Sequence, residues 1–294
     1  MNWTKMLQRK LGMLSLFVFC TMLSNAQDDK SNSLLWEISG NGLQQPSYLF
    51  GTIHMICKKD FFLSDVAKEK FTSSKQIYLE LDMDDPQLQV NMMRLMQLPA
   101  GESLKSKFGE KSSSKLDSFL NKEMSMRLAV FDRFKPMMLI SLIAQRILSC
   151  TEMESYEMSF VKMASQQKKE LLGLERIDDQ VAVFDAIPDS AEIRSIINMI
   201  GNIDEQKVEF NRMVAFYRNQ DLKALYKLMI ESPEMLGSQE LLLDRRNQHW
   251  IPVMESAMKK SPAFFAVGAG HLPGNNGVIE LLRKQGYTVN PVKL

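Results

Sequence analysis

Short apolar runs bounded by turn residues lie near both ends of the chain, and this pattern predicts β-strands. The glycine-containing turn at residues 40–42 separates the first two runs and predicts a hairpin. The runs cover residues 34–38, 48–50, 77–82, 263–267 and 287–292.

In the middle of the chain the apolar residues recur with a different spacing. From Pro86 to about residue 260, apolar residues mostly recur every three or four positions, which is typical of amphipathic helices. A short apolar run at residues 170–175 interrupts this pattern and predicts one more buried strand. The sequence therefore predicts a mixed α/β fold, with a central mixed β-sheet built from the N- and C-terminal segments and a large helical middle at about residues 86–260.

The first residues have the pattern of a secretory signal. Basic residues precede an apolar run at residues 11–23, which is shorter than the roughly 20 residues that a membrane-spanning helix needs. Small residues at positions 24 and 26 predict cleavage before Gln27. We therefore predict a signal peptide at residues 1–26 and a single domain at residues 27–294.

Export predicts a periplasmic or extracellular protein in an oxidising compartment. The mature chain keeps Cys57 and Cys150, which become candidates for a disulfide, with two buried free thiols as the alternative. Lipid attachment at Cys20 is the less favoured alternative to cleavage before Gln27, because Phe19 is bulkier than the small residue expected before a lipidated cysteine.

Composition and charge narrow the class of partner. The chain has 294 residues, of which 45% are hydrophobic, so it can bury a substantial core. With 36 basic and 35 acidic residues the net charge is +1, which argues against a nucleic-acid partner and against docking on an anionic membrane. We expect no stable membrane insertion after signal cleavage, and the oligomeric state stays open.

Two of the three histidines occur in the same local setting. Gly51 and His54 form a Gly-x-x-His motif directly after an apolar strand, and Gly268 and His271 repeat the arrangement near the C-terminus. Ligands of α/β folds usually bind beyond the carboxyl ends of strands, and a glycine there permits a sharp turn. The repetition predicts two related halves that meet at a shared site.

Two neutral imidazoles and one carboxylate make a metal site of the catalytic zinc type, with a position left open for water. His54 and His271 are the candidate imidazole ligands. Glu80 and Glu175 both lie at or near the ends of predicted strands. Either glutamate could be the third ligand, and the other would then be the general base.

Two further features have alternative explanations. Arg246 and Asn247 lie on a predicted helix, where the residue pattern by itself favours a solvated helix face. The alternative is a functional role, since Arg suits an oxyanion and Asn a backbone-like amide contact. Cys57 lies close to His54, so a cysteine nucleophile is an alternative chemistry, but pairing with Cys150 would remove its thiol.

Through these motifs the sequence resembles the TraB/GumN family, which includes the Tiki-type and pheromone-shutdown proteins. The resemblance extends over nearly the whole mature chain. It is carried, in order, by residues 48–54, 79–82, 173–175, 246–247 and 267–272.

The resemblance implies a mixed α/β fold with two related halves, and Tiki-type members are peptidases that work with divalent ions such as manganese or cobalt. It makes His54, His271 and Glu80 candidate metal ligands or catalytic residues. It also makes Glu175, Arg246 and Asn247 candidates for supporting or substrate-binding roles.

We therefore expect an exported metal-dependent hydrolase, most simply a peptidase acting on a peptide or protein through a metal-activated water. The resemblance favours manganese or cobalt, and the ligand types also permit zinc. In this hypothesis a glutamate takes the proton from water, and Arg246 or Asn247 stabilises the oxyanion. The alternative is a non-catalytic protein that binds or sequesters a peptide or pheromone with the same residues.

Overall fold

The computed structural model describes residues 32–148, 150–232, 235 and 237–294. The region from Ser33 to Leu294 forms one compact unit. The predicted signal peptide at residues 1–26 and the alternative lipid site at Cys20 lie outside the described residues.

A mixed sheet forms the centre of this unit. In the described part of the chain the strands are β1 (Leu35–Gly40), β2 (Ser47–Thr52), β3 (Ile56–Cys57), β4 (Gln76–Leu79), β5 (Met153–Glu154), β6 (Leu171–Gly173), β7 (Ala263–Gly268) and β8 (Tyr287–Val292). Six of these strands lie in the order β6-β4-β7-β2-β1-β8, and β3 and β5 pair separately. Neighbouring strands among β6, β4, β7 and β2 are parallel, while β1 is antiparallel to both β2 and β8. The predicted mixed sheet from the two ends of the chain is confirmed.

The strand expected at residues 77–82 is shorter than its apolar run suggested. β4 ends at Leu79, so that Glu80 and Asp82 follow the strand instead of belonging to it. The pairing of β4 with β6 and with β7 ends at Leu79. The acidic residues from Glu80 onward interrupt the continuous apolar run that a strand buried on both faces requires.

Helices fill most of the middle of the chain, as predicted. None of the helices within the described ranges is long and apolar enough to cross a membrane. They are α1 (Asp65–Ser73), α2 (Leu88–Leu95), α3 (Leu104–Met124), α4 (Pro136–Ile147), α5 (Tyr156–Gln167), α6 (Ile177–Asp185), α7 (Asp189–Gly201), α8 (Ile203–Arg218), α9 (Leu222–Ile230), α10 (Arg245–Lys260) and α11 (Val278–Lys284).

The sheet and the helices bury a continuous aromatic core. Every residue of β2 is buried, and so is nearly all of β7, as expected for central parallel strands. Phe50 of β2 packs edge-on against Phe160 of α5, with 5.6 Å between ring centroids. Phe264 of β7 packs against Phe71 of α1 at 5.4 Å. These contacts pack the central strands against α1 and α5.

A disulfide joins the segment after β2 to the segment before α5. Cys57 and Cys150 are bonded, with Cα atoms 5.8 Å apart, inside the range that a disulfide permits. Next to the bond, β3 pairs with β5. The helical middle therefore contains a strand, β5, that the apolar pattern did not indicate, because two residues are too few for a period to be visible.

The disulfide should contribute strongly to stability. It closes a loop with a sequence separation of 93 residues. Replacing both cysteines (Cys57→Ser with Cys150→Ser) should lower the free energy of unfolding by about 4 to 5 kcal/mol, because the unfolded chain regains loop entropy. Urea unfolding without reductant measures this loss. An unchanged midpoint in the double variant would show that the bond does not constrain the unfolded chain.

Candidate active site

The parallel strands bring four of the proposed side chains to one edge of the sheet. His54 follows β2, Glu80 follows β4, Glu175 follows β6 and His271 follows β7. These strands are neighbours and run in the same direction, so their carboxyl ends lie along the same edge. This edge is where ligands bind in sheets of this kind.

Arg246, in the first turn of α10, connects two of these groups. Its Nη2 donates to Glu80 Oε2 at 2.5 Å and to Glu175 Oε1 at 2.6 Å, and its Nε also donates to Glu175, at 3.1 Å. All three side chains are at most 10% exposed. A guanidinium presents its donors in a fixed planar fork, which makes it suitable for holding two carboxylates side by side.

The positive charge of Arg246 helps to keep Glu80 ionised. Burial by itself would raise the pKa of Glu80, but several lowering effects, of which the charge of Arg246 is the largest, together outweigh burial, and the pKa falls to about 2. The backbone N–H of Gly268 adds a hydrogen bond to Glu80 Oε1 at 2.7 Å. Glu80 is therefore an anion at any physiological pH.

Glu175 is held from three directions. Besides Arg246, the indole Nε1 of Trp250 donates to Glu175 Oε2 and the amide of Gln180 donates to Oε1, each at 3.1 Å. The Trp250 ring also lies beneath the guanidinium of Arg246, 4.9 Å from its centroid. A buried carboxylate with this many donors is fixed in orientation.

His271 is buried and neutral. Its Nδ1 lies 2.6 Å from Asn247 Oδ1, and Asn247 Nδ2 donates to the carbonyl of Asn276 at 2.8 Å. This orientation of the amide assigns the proton of His271 to Nδ1, so that Nε2 accepts from Arg246 Nη1 at 3.2 Å. Burial lowers the pKa of His271 to about 3.

His54 has the opposite surroundings. Its side chain is 69% exposed, and its Nδ1 lies 3.0 Å from Glu157 Oε1. Glu157 is itself held by the Thr52 hydroxyl at 2.7 Å and by the Ser155 hydroxyl at 3.0 Å. With Nδ1 occupied by a carboxylate, the free nitrogen of the exposed ring is Nε2.

The charges around His54 favour its protonated form. The hydrogen bond to Glu157 raises the pKa of His54 to about 9. Glu80 raises the pKa further, and Arg246 lowers it. The charge of His54 acts in turn on the pKa values of Glu80 and His271. The two histidines therefore belong to one electrostatic site.

Glu157 is the functional candidate that sequence reasoning missed. It lies 103 residues from His54, in the first turn of α5, where an acidic residue is common because of the helix dipole. The only sequence signal was indirect. Pairing Cys57 with Cys150 brings the start of α5 close to the loop that carries His54.

The three side chains proposed as metal ligands do not fit a divalent ion in this arrangement. No group of three histidine, cysteine, aspartate or glutamate side chains that could hold a metal occurs within the described residues. Both ring nitrogens of His271 are occupied, by Asn247 and Arg246, and Arg246 and Gly268 bind the two oxygens of Glu80. The guanidinium supplies the positive charge that a cation would bring.

Comparisons with known proteins agree with these motifs. The family model of the TraB/PrgY/gumN family matches residues 34–291. The chain is 23% identical to the "Metalloprotease TIKI homolog" of Nematostella vectensis, over 89% of the chain and 67% of that protein. It is 21% identical to the "Metalloprotease TIKI1" of Danio rerio and 22% identical to that of Homo sapiens, over 90% of the chain in both cases. The chain covers 64% and 62% of the lengths of these last two relatives. No solved structure matches the chain significantly.

Removing the charge of Arg246 should destabilise the fold. We expect Arg246→Met to lower the free energy of unfolding at neutral pH by about 3 to 5 kcal/mol, because Glu80 and Glu175 would be left as unpaired buried anions. Arg245→Met is the matched control. Arg245 is exposed and pairs with Glu240 on the surface, so its loss should cost less than about 1 kcal/mol. Equal losses in the two variants would contradict the role of Arg246.

The contact between Glu157 and His54 should be visible in a titration. We expect His54 to titrate near pH 9, and Glu157→Gln to bring its pKa down toward about 6.5. The stabilisation from this pair is complete below about pH 6.5 and is lost as the pH rises through 9. NMR of the imidazole signals measures both values.

The control for this titration is Glu152→Gln. Glu152 is an exposed acidic residue near the same disulfide and pairs with Lys58. Its replacement should leave the titration of His54 unchanged. A pKa of His54 that is the same with and without Glu157 would show that the hydrogen bond does not form in solution.

Proposed function

This chain belongs to the TraB/PrgY/gumN family, and on that premise we propose that it is a hydrolase that cleaves peptides or proteins at the carboxyl edge of its sheet. The observation that supports this most is the convergence of side chains from four strand ends and α10 on one charged cluster. The names of its relatives as metalloproteases support the same reaction class.

We propose that His54 is the residue that exchanges a proton with the substrate. It combines an exposed ring with a carboxylate that fixes its orientation. At neutral pH it carries a proton on Nε2, and it would donate this proton to the leaving nitrogen of a peptide bond. Glu80 is ionised nearby and would orient the attacking water with its remaining lone pairs. The proton that the water loses would return to His54 Nε2, which restores the starting state.

We propose that Arg246 and Asn247 position other side chains of the site and do not contact the substrate. The five N–H groups of Arg246 face Glu80, Glu175, His271 and the carbonyl of Leu242, so none is left for an oxyanion. Asn247 is 1% exposed. Both side chains would therefore act by holding the glutamates and His271 in place.

We propose divalent metal dependence independently of the roles given to His54 and Glu80. It comes from the names of the relatives and from the earlier expectation of manganese, cobalt or zinc. Because the side chains of this site do not fit such an ion as they are arranged, the roles given to His54 and Glu80 do not use one.

A second candidate function is peptide binding without cleavage. The engagement of both nitrogens of His271 and every donor of Arg246 favours it, since these groups stabilise the protein and leave His54 as the main reactive side chain. Such a protein would bind a peptide or pheromone at the same edge and release it unchanged.

We also propose that the protein acts outside the cytoplasm. The predicted signal peptide and the disulfide between Cys57 and Cys150 both suit an oxidising compartment. Expression of the full sequence, followed by N-terminal sequencing of the product, tests cleavage before Gln27.

A peptide-library digest followed by mass spectrometry tests the proposed reaction. We expect cleavage by the wild-type protein, and a loss of at least a hundredfold in both His54→Ala and His271→Ala. His249→Ala is the control, because His249 is exposed on α10 and should be dispensable. Parallel digests after EDTA treatment, and after adding manganese, cobalt or zinc, measure the metal dependence.

Each outcome of this digest supports a different conclusion about the function. Peptides that bind with unchanged mass under all metal conditions would favour the binding function. Full cleavage by His54→Ala would refute the role given to His54. Cleavage only after addition of a metal would show that the side chains rearrange to accept an ion.

A further inference from the structure

A second concave region lies among the helices and uses different elements from the candidate active site. The loop that precedes α3, the start of α4, the end of α6 and the start of α7 line a partly open cavity of about 230 Å³. Apolar side chains form much of its wall, among them Leu98, Val181, Phe184 and Ile187. A space of this size accepts a small molecule or a single side chain.

Glu192 is the unusual residue of this cavity. It lines the cavity from the first turns of α7 and is only 8% exposed. No hydrogen bond or ion pair to its carboxyl is present among the residues that the structure describes. Buried carboxylates normally have donors, so this carboxyl can accept a donor from a bound molecule.

The two lysines of the cavity are already neutralised. Lys107 Nζ lies 2.8 Å from Glu102 and 2.7 Å from Asp189. Lys135 Nζ lies 2.7 Å from both carboxyl oxygens of Asp185. Each ammonium therefore has two acceptors in place. The lining carries four carboxyl groups against two ammonium groups, which leaves Glu192 without a counter-charge.

The protonation of Glu192 reflects this imbalance. Burial raises the pKa of Glu192 to about 7, and the charges of Asp189 and Asp185 add to the effect, while Lys107 and Lys135 oppose it. The remaining charged group of the lining is Glu102. Near neutral pH the carboxyl thus changes between a neutral and an anionic form, and a cationic ligand would select the anion.

We propose that this cavity binds a primary ammonium group carried on a short apolar chain. The ammonium would donate to Glu192 and supply the missing positive charge, while the apolar chain would lie against Val181, Phe184 and Ile187. A lysine side chain and the amino terminus of a peptide both offer this chemistry. The proposal does not depend on the hydrolase function.

Ligand-observed NMR titration of the full chain tests the proposal. Hexylammonium represents a lysine side chain, leucine amide represents a peptide amino terminus, and hexanol is the neutral control. We expect a Kd of about 1 mM for at least one of the two amines at pH 8, and binding at least tenfold weaker for hexanol. The amine that binds more tightly, after its Kd is corrected for the fraction protonated at pH 8, identifies the natural source.

Measuring the Kd for two variants and over a range of pH distinguishes binding at Glu192 from weak binding on the surface. Glu192→Gln should abolish the preference for the amine over the alcohol. Glu110→Gln removes the same charge from an exposed position on α3 and should leave the Kd unchanged. Hexylammonium stays protonated between pH 6 and 8, whereas Glu192 ionises. Its Kd should therefore tighten about tenfold over this range in the wild type and stay constant in Glu192→Gln.

Three results would overturn the proposal. One is a Kd for Glu192→Gln equal to that of the wild type. Another is hexanol binding as tightly as the amines. The third is the absence of saturable binding at ten times the expected Kd. Glu192→Gln removes an unpaired buried carboxyl, so we expect this variant to fold, and thermal unfolding at pH 8 should show it at least as stable as the wild type.

Discussion

The candidate site depends on one buried guanidinium shared between two carboxylates. Moving three charged groups out of water costs several kcal/mol for each, and only close, well-oriented contacts recover that cost. Arg246 meets this condition because its planar fork reaches Glu80 and Glu175 on neighbouring strand ends and His271 on a third. The neighbouring strands β4 and β6 bring the two carboxylates to the same edge of the sheet, and α10 supplies the cation. The positions of the side chains at the carboxyl edge of the sheet therefore depend on the pairing of Arg246 with Glu80 and Glu175.

The same constraint divides the site into a fixed part and an accessible part. In the fixed part, His271 is neutral and enclosed by Asn247 and Arg246. In the accessible part, His54 is exposed and protonated, and Glu157 orients it. The disulfide at Cys57 links the two segments that carry His54 and Glu157. A reactive group beside a rigid anionic cluster suits proton transfer to a bound peptide.

Most of the fold followed from local pattern, because fully buried parallel strands give continuous apolar runs and amphipathic helices a period of 3.6. The Gly-x-x-His repeat also located the edge of the sheet. The sequence did not reveal that Arg246 occupies the centre of the site, because an arginine beside Arg245 on a helix is equally typical of a solvated face. Nor did it reveal Glu157, whose contact with His54 exists only through tertiary structure. Helix and strand propensities depend on residues that are neighbours along the chain. The roles of Arg246 and Glu157 depend instead on contacts with residues that are distant in sequence.

A double-mutant cycle between Arg246→Met and Glu80→Gln tests the central claim most directly. The free energies of unfolding of the wild type, both single variants and the double variant give the coupling between the two side chains. The account predicts a coupling of about 2 to 3 kcal/mol, because removing both charges together avoids leaving a buried ion unpaired. Effects that add to within about 0.5 kcal/mol would show that the two side chains act independently, and would contradict the claim that Arg246 holds the site together.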